Sequence, residues 1–180
     1  RVLIMCGSQG AQVFSDVLPV AFAKLPDDLK KRLRITQQCR EEFLEDTRRA
    51  YKAEDIQANC QTFFQDVPEQ LATCHLLIAR SGASTVAEAT VIGRPSLLVP
   101  YPYATDNHQM RNAHSLDEAG GSWLIPQDHL NADMLCERLT QLFSHPDILT
   151  QTAAASFKVG RPDAALHLAN CVEEIIEVTY

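Results

Sequence analysis

Three short segments hold the side chains that could do chemistry, and each sets polar groups among small residues. The first, Cys6-Gly7-Ser8-Gln9-Gly10-Ala11, has the residue sizes of a turn whose backbone can approach a phosphate. The second, Arg80-Ser81-Gly82-Ala83-Ser84-Thr85, has the same character and carries Glu88 one helical turn further on. An ionised carboxylate accepts from two hydroxyls at once, so Glu88 suits the diol of a ribose. Thr85-x-x-Glu88 is equally the pattern of a capping box, in which both side chains satisfy backbone N–H groups. The third segment runs from Tyr101-Pro102-Tyr103 through Asp106-Asn107-His108-Gln109 to Asn112. Asp106 or Asn107 is expected to cap a helix there, leaving His108 and Gln109 in its first turn. Imidazole and amide groups suit a sugar, whose hydroxyls both donate and accept; a merely solvated His-Gln pair is the plain alternative. His108 has no obvious orienting partner for work as a general base.

The elements that must hold these segments follow from the hydrophobic pattern. Continuous apolar runs at 1–6 (RVLIMC), 75–80 (HLLIAR) and 96–100 (SLLVP) read as buried strands, each ending where a small-residue turn begins. Further strands are expected at 33–39, 56–64 and 121–125. Helical spacing joins Phe14, Val17, Leu18, Ala21 and Leu25, and helices are also expected at 41–52, 67–74, 85–92 and 107–119. Two or three more follow, over 131–143, 148–157 and 164–178, the last with Leu168, Cys171, Val172, Ile175 and Ile176 on one stripe. The charges of 41–55 read as a solvated face. Strands alternating with helices predict an α/β fold, a doubly wound parallel sheet in one domain. Ligands of such sheets bind beyond the carboxyl ends of the strands, where the chemistry-bearing turns fall.

Composition narrows the function. The chain has 180 residues, a formal net charge of −7 and a pI near 5.3. That balance disfavours nucleic-acid binding and a polybasic membrane patch. No apolar run approaches the roughly 20 residues of a membrane span, and no signal peptide is read at the start. Arg1 opens within a core-like strand, so a fragment of a longer protein is expected. The six cysteines are scattered without C-x-x-C, as buried or incidental thiols of a reducing compartment would be. The six histidines show no metal spacing, and neither a metal nor a cofactor is expected. The first turn is neither G-x-G-x-x-G nor a P-loop, and the second strand ends in Gln37-Gln38 without an acidic residue, so NAD is disfavoured.

Taken in order, Gly7-Ser8-Gln9-Gly10-Ala11, Phe63-Phe64 with Asp66, Arg80-Ser81-Gly82-Ala83 with Glu88, Pro95 to Pro100, and Asp106, His108-Gln109 and Asn112-Ala113 form a specific series. It closely resembles the C-terminal, nucleotide-sugar-binding domain of the MurG family, transferases that add N-acetylglucosamine to lipid I in peptidoglycan synthesis. The resemblance covers essentially the whole chain. It implies a Rossmann-like domain, one half of a GT-B glycosyltransferase, with UDP-N-acetylglucosamine as donor. It further implies that Phe64 reads the uracil edge through its backbone, with Phe63 and Val67 lining that pocket, and that Glu88 binds the ribose. Ser8 and the helix start at Ala83, Ser84 and Thr85 would meet the diphosphate, His108 and Gln109 the N-acetylglucosamine hydroxyls, while Asp106 and Asn112 shape that loop.

The lipid I acceptor site, the catalytic base and any membrane contact would belong to an N-terminal domain absent from this chain. The longer protein would be peripheral on the cytoplasmic face of the bacterial inner membrane. This chain alone would bind donor with little or no transferase activity. Two departures stand out: Cys6 occupies the place of a usual glycine, and His108 that of a glutamine in some members. A related GT-B enzyme with another lipid acceptor, and a non-catalytic doubly wound binding module, remain as alternatives.

Overall fold

A strand that is apolar at every position needs cover on both faces, and the strands of this type take the middle of the sheet. The computed structural model describes residues 1–7 and 11–179, with side chains through residue 176. Six parallel strands run in the order β3-β2-β1-β4-β5-β6. They are β1 (Val2–Met5), β2 (Ile35–Gln38), β3 (Ala58–Gln61), β4 (Leu76–Ala79), β5 (Ser96–Leu98) and β6 (Ser122–Leu124). β4 and β5 are buried at every position, whereas β2 alternates and the edge strand β3 buries only Cys60. β2 and β3 are shorter than their patterns predict; at the carboxyl end of β3, Phe63 and Phe64 have left the ladder for the following loop.

The helices are α1 (Gln12–Ala23), α2 (Asp27–Lys30), α3 (Glu41–Ala53), α4 (Val67–Thr73), α5 (Ala83–Ile92), α6 (His108–Glu118), α7 (Ala132–Ser144), α8 (Pro146–Val159) and α9 (Ala164–Thr179). Alternation along β1 divides the core between the two faces of the sheet. Val2 and Ile4 pack with Phe14, Leu18 and Phe22 of α1, Tyr51 of α3, and Leu135, Leu139 and Leu142 of α7. Leu3 instead joins Leu71, Leu77, Ala79 and Ala89, and Leu98 meets Ala113 and Leu116 of α6. α3 buries only Leu44, Thr47 and Tyr51, and its charges pair along the solvent face, as in Arg48–Glu45 and Arg49–Asp46. Asn131 caps α7 by accepting from the Met134 N–H at 3.0 Å. α8 packs on α5. α9 makes no extensive contact with another element, and Leu166, Leu168, Val172 and Ile176 stand exposed along it. No helix among the described residues is long and apolar enough to cross a membrane.

Chain order reverses between β1 and β4, and the carboxyl ends of the strands at such a switch point are where doubly wound sheets hold their ligands in a crevice. The carboxyl end of β1, the loop after β3 and the starts of α5 and α6 all lie along this edge.

Candidate functional site

The turn after β1 opens with Gly7 at φ +73°, and a side chain added there would meet nothing within 4 Å. Glycine is therefore required by the left-handed backbone and not by crowding. Cys6 beside it is buried, and its thiol donates to the Gln38 carbonyl at 2.9 Å. The sulfur is thus turned toward the carboxyl end of β2. Burial pushes this thiol up to about 12. Gln38 gathers three segments: its Oε1 accepts from the Cys6 N–H at 3.3 Å and its Nε2 donates to the Thr62 carbonyl at 3.2 Å. Ser8 lies outside the described residues.

α5 begins two residues earlier than its pattern predicts, which removes the capping box. Its N-cap is Gly82, with extended backbone and no side-chain cap, so Thr85 falls inside the first turn and not at the cap. Glu88 is exposed, and its carboxylate makes no hydrogen bond or ion pair with any described residue. The leading N–H groups of α5 at Ala83, Ser84 and Thr85 consequently face outward without a side-chain acceptor, and the helix dipole adds a partial positive charge there. Ala83 and Ser84 are exposed and Thr85 is half-buried.

α6 starts without the side-chain cap expected of Asp106 or Asn107. Both residues take left-handed backbone, at φ +50° and +54°, and Asn107 occupies the cap position with its side chain unused. Arg111 donates to the Asp106 carbonyl at 2.6 Å and holds that bend. His108 places Nδ1 2.7 Å from the Thr105 carbonyl. A carbonyl only accepts, so Nδ1 carries a proton, and in the neutral ring the exposed Nε2 is left as an acceptor. Gln109 Oε1 accepts from the Tyr101 N–H at 3.0 Å, which leaves its amide nitrogen to donate. The pair is therefore not merely solvated: one ring nitrogen and one amide oxygen fix the remaining polar atoms in place.

Two residues of the second turn have structural work that their spacing does not announce. Ser81 is fully buried; its hydroxyl donates to the Gln109 carbonyl at 2.8 Å, and its own carbonyl accepts from Asn112 Nδ2 at 3.0 Å. Arg80 is 9% exposed and donates to the Val99 and Pro100 carbonyls at 3.0 and 3.1 Å and to Gln127 Oε1 at 2.6 Å. Its guanidinium lies over the rings of Phe14 and Tyr101, 5.2 and 5.6 Å from their centroids. Burial lowers its pKa, yet an arginine stays charged, and no carboxylate among the described residues pairs with it. The only sequence signal was a long cation closing an apolar strand, a group that must find carbonyl acceptors.

Beyond β3, Phe64 is buried while Phe63 is 67% exposed, and Val67 at the start of α4 is half-buried. The Phe64 ring thus anchors a backbone whose N–H and C=O make no backbone hydrogen bond among the described residues. A separate cavity of about 470 Å³ lies at the amino ends of the strands, against Leu29, His75, Pro95, Phe143 and Leu149, remote from all of these loops. No group of three or more metal-ligating side chains occurs among the described residues. The crevice can therefore offer helix N-termini to an anion, a lone carboxylate to a diol and mixed donors and acceptors to a hydroxylated ring.

The family described as glycosyltransferase family 28 C-terminal domain matches residues 1–168. A protein of Paramagnetospirillum magneticum named UDP-N-acetylglucosamine--N-acetylmuramyl-(pentapeptide) pyrophosphoryl-undecaprenol N-acetylglucosamine transferase is 54% identical over 98% of this chain and 47% of its own length. One of the same name from Rhodospirillum centenum is 53% identical over 95% of this chain and 45% of its own. The chain thus spans about half the length of the curated relatives it matches. The crystal structure of Acinetobacter baumannii MurG superposes with a TM-score of 0.88 at 28% identity, over 97% of this chain and 49% of that one.

Proposed function

Since the chain belongs to the glycosyltransferase family 28 C-terminal domains, we propose that it is the donor-binding half of a MurG-type enzyme and takes UDP-N-acetylglucosamine. The longer protein, in this reading, transfers N-acetylglucosamine to lipid I, giving lipid II for peptidoglycan. The observation that carries the proposal is the uncapped start of α5 at the switch point, with the unpartnered Glu88 on the same helix. Relatives named for this reaction, at 54% and 53% identity, support the choice of donor.

Each part of the donor has a counterpart. The uracil edge meets the Phe64 backbone, with Phe63 and Val67 beside the ring. Glu88 accepts from the two ribose hydroxyls. The N–H groups of Ala83, Ser84 and Thr85, with Ser8, receive the diphosphate. His108 Nε2 accepts from a sugar hydroxyl while the Gln109 amide donates to one. The acceptor hydroxyl attacks the anomeric carbon, the bond from that carbon to the diphosphate breaks, and UDP leaves with inversion. Negative charge grows on the diphosphate along this path, so fixed N–H donors at α5 stabilise the transition state more than the ground state. Lipid I, the base that takes the acceptor proton and contact with the cytoplasmic membrane face belong to the part of the protein beyond this chain.

Calorimetric titration of UDP and UDP-N-acetylglucosamine into the chain tests this reading. Both should bind saturably, and Glu88→Ala should weaken both by about 10- to 100-fold through loss of charge-assisted hydrogen bonds. No heat with either nucleotide, as a non-catalytic module would give, removes the proposal.

A further inference from the structure

The starts of α5 and α6 are joined through a single buried residue. Ser81, immediately before the α5 cap, donates its hydroxyl to the Gln109 carbonyl and accepts on its own carbonyl from Asn112 Nδ2. Gln109 in turn holds the Tyr101 N–H, so the loop after β5 is tied to the same point. Ser81 is fully buried, which strengthens these bonds and makes their loss costly. Asn112 lies one turn into α6, on the flank of the helix that meets the second turn, and its partner is backbone.

We propose that Asn112 is a positioning residue for recognition of the sugar, setting where the α6 start stands relative to the α5 start. The inference rests on the donor-binding reading, in which α5 holds diphosphate and ribose while α6 holds the hexose. A rigid donor bridges the two helix starts, so its sugar is recognised only if their separation is fixed. UDP engages α5 and the loop after β3 and does not register that separation. Asn112 reaches the Ser81 carbonyl as a donor, which alanine lacks and a carboxylate reverses into repulsion.

The test is calorimetry of UDP and UDP-N-acetylglucosamine with wild-type chain, Asn112→Ala and the isosteric Asn112→Asp. UDP affinity should stay within about threefold in the variants, which also reports an intact fold. The ratio of the UDP-N-acetylglucosamine Kd to the UDP Kd should rise about five- to tenfold, the worth of one buried hydrogen bond. An unchanged ratio in both variants overturns the proposal, and so does an equal loss for the two ligands, which marks a purely structural role. Failure of the wild-type chain to bind UDP is a different result: it removes the donor reading itself and this inference with it.

Discussion

Cys6 and Cys171 show how far location governs one functional group. Cys6 directly precedes the small-residue turn in sequence, yet its sulfur is buried and bonded to the Gln38 carbonyl. Burial raises its pKa to about 12, so at pH 8 only about one thiol in 10,000 is the reactive thiolate. Cys171 is exposed on α9. Iodoacetamide at pH 8 should therefore alkylate Cys171 at least about 100-fold faster than Cys6, read by mass spectrometry of the digested chain. Comparable rates would mean that the turn opens and presents the sulfur to solvent.

At the scale of elements, the site depends on where helices begin and on how they are stopped. α5 starts at a residue without a side chain, which leaves its N–H groups for a ligand, and it is closed by Gly93 at φ +70°. A Cβ on Gly93 would stand 2.9 Å from the Cβ of Phe157 and 3.2 Å from the Ala153 carbonyl oxygen of α8. Gly93→Ala combines left-handed strain with that collision, so it should cost about 2 kcal/mol and lower the thermal midpoint by about 4–8 °C. Differential scanning calorimetry reads the shift; an unaltered midpoint would show that α8 is not seated on α5 as described. α6 is started differently, by two consecutive left-handed residues, with Arg111 holding the bend, and His108 and Gln109 follow in its first turn.

At the scale of the molecule, the sheet and the helices before α9 enclose a core on each face of the sheet, whereas α9 carries exposed apolar side chains along its length. Leu168 is 67% exposed and Ile176 55%, with Val172 between them. Contiguous apolar surface of this kind drives association in water. Sedimentation velocity should show the chain passing from monomer to larger species between about 1 and 100 μM. Leu168→Glu together with Ile176→Glu should keep it monomeric without shifting its unfolding temperature, since the stripe supports no core. A wild-type chain that stays monomeric throughout that range would show that the stripe is not adhesive.

What the sequence determined by itself is local. Apolar runs of four to six residues and helical stripes are set by neighbours within a few positions, so the six strands, their parallel sense and most of the helices were legible in the sequence, though not the order of the strands in the sheet. Resemblance over the whole chain then named a donor and a set of contacts. Tertiary structure decided the rest. Thr85 and Glu88 fit a capping box by spacing, and only the position of Gly82 as the cap freed Glu88. Asp106 and Asn107 are good capping types, but the bend before α6 placed their side chains out of reach. The bonds of Ser81 to Gln109 and Asn112 join residues 28 and 31 positions apart, and Arg80 meets Gln127 across 47. No local pattern specifies such pairs, because they exist only once the strand order has brought three loops to one edge of the sheet.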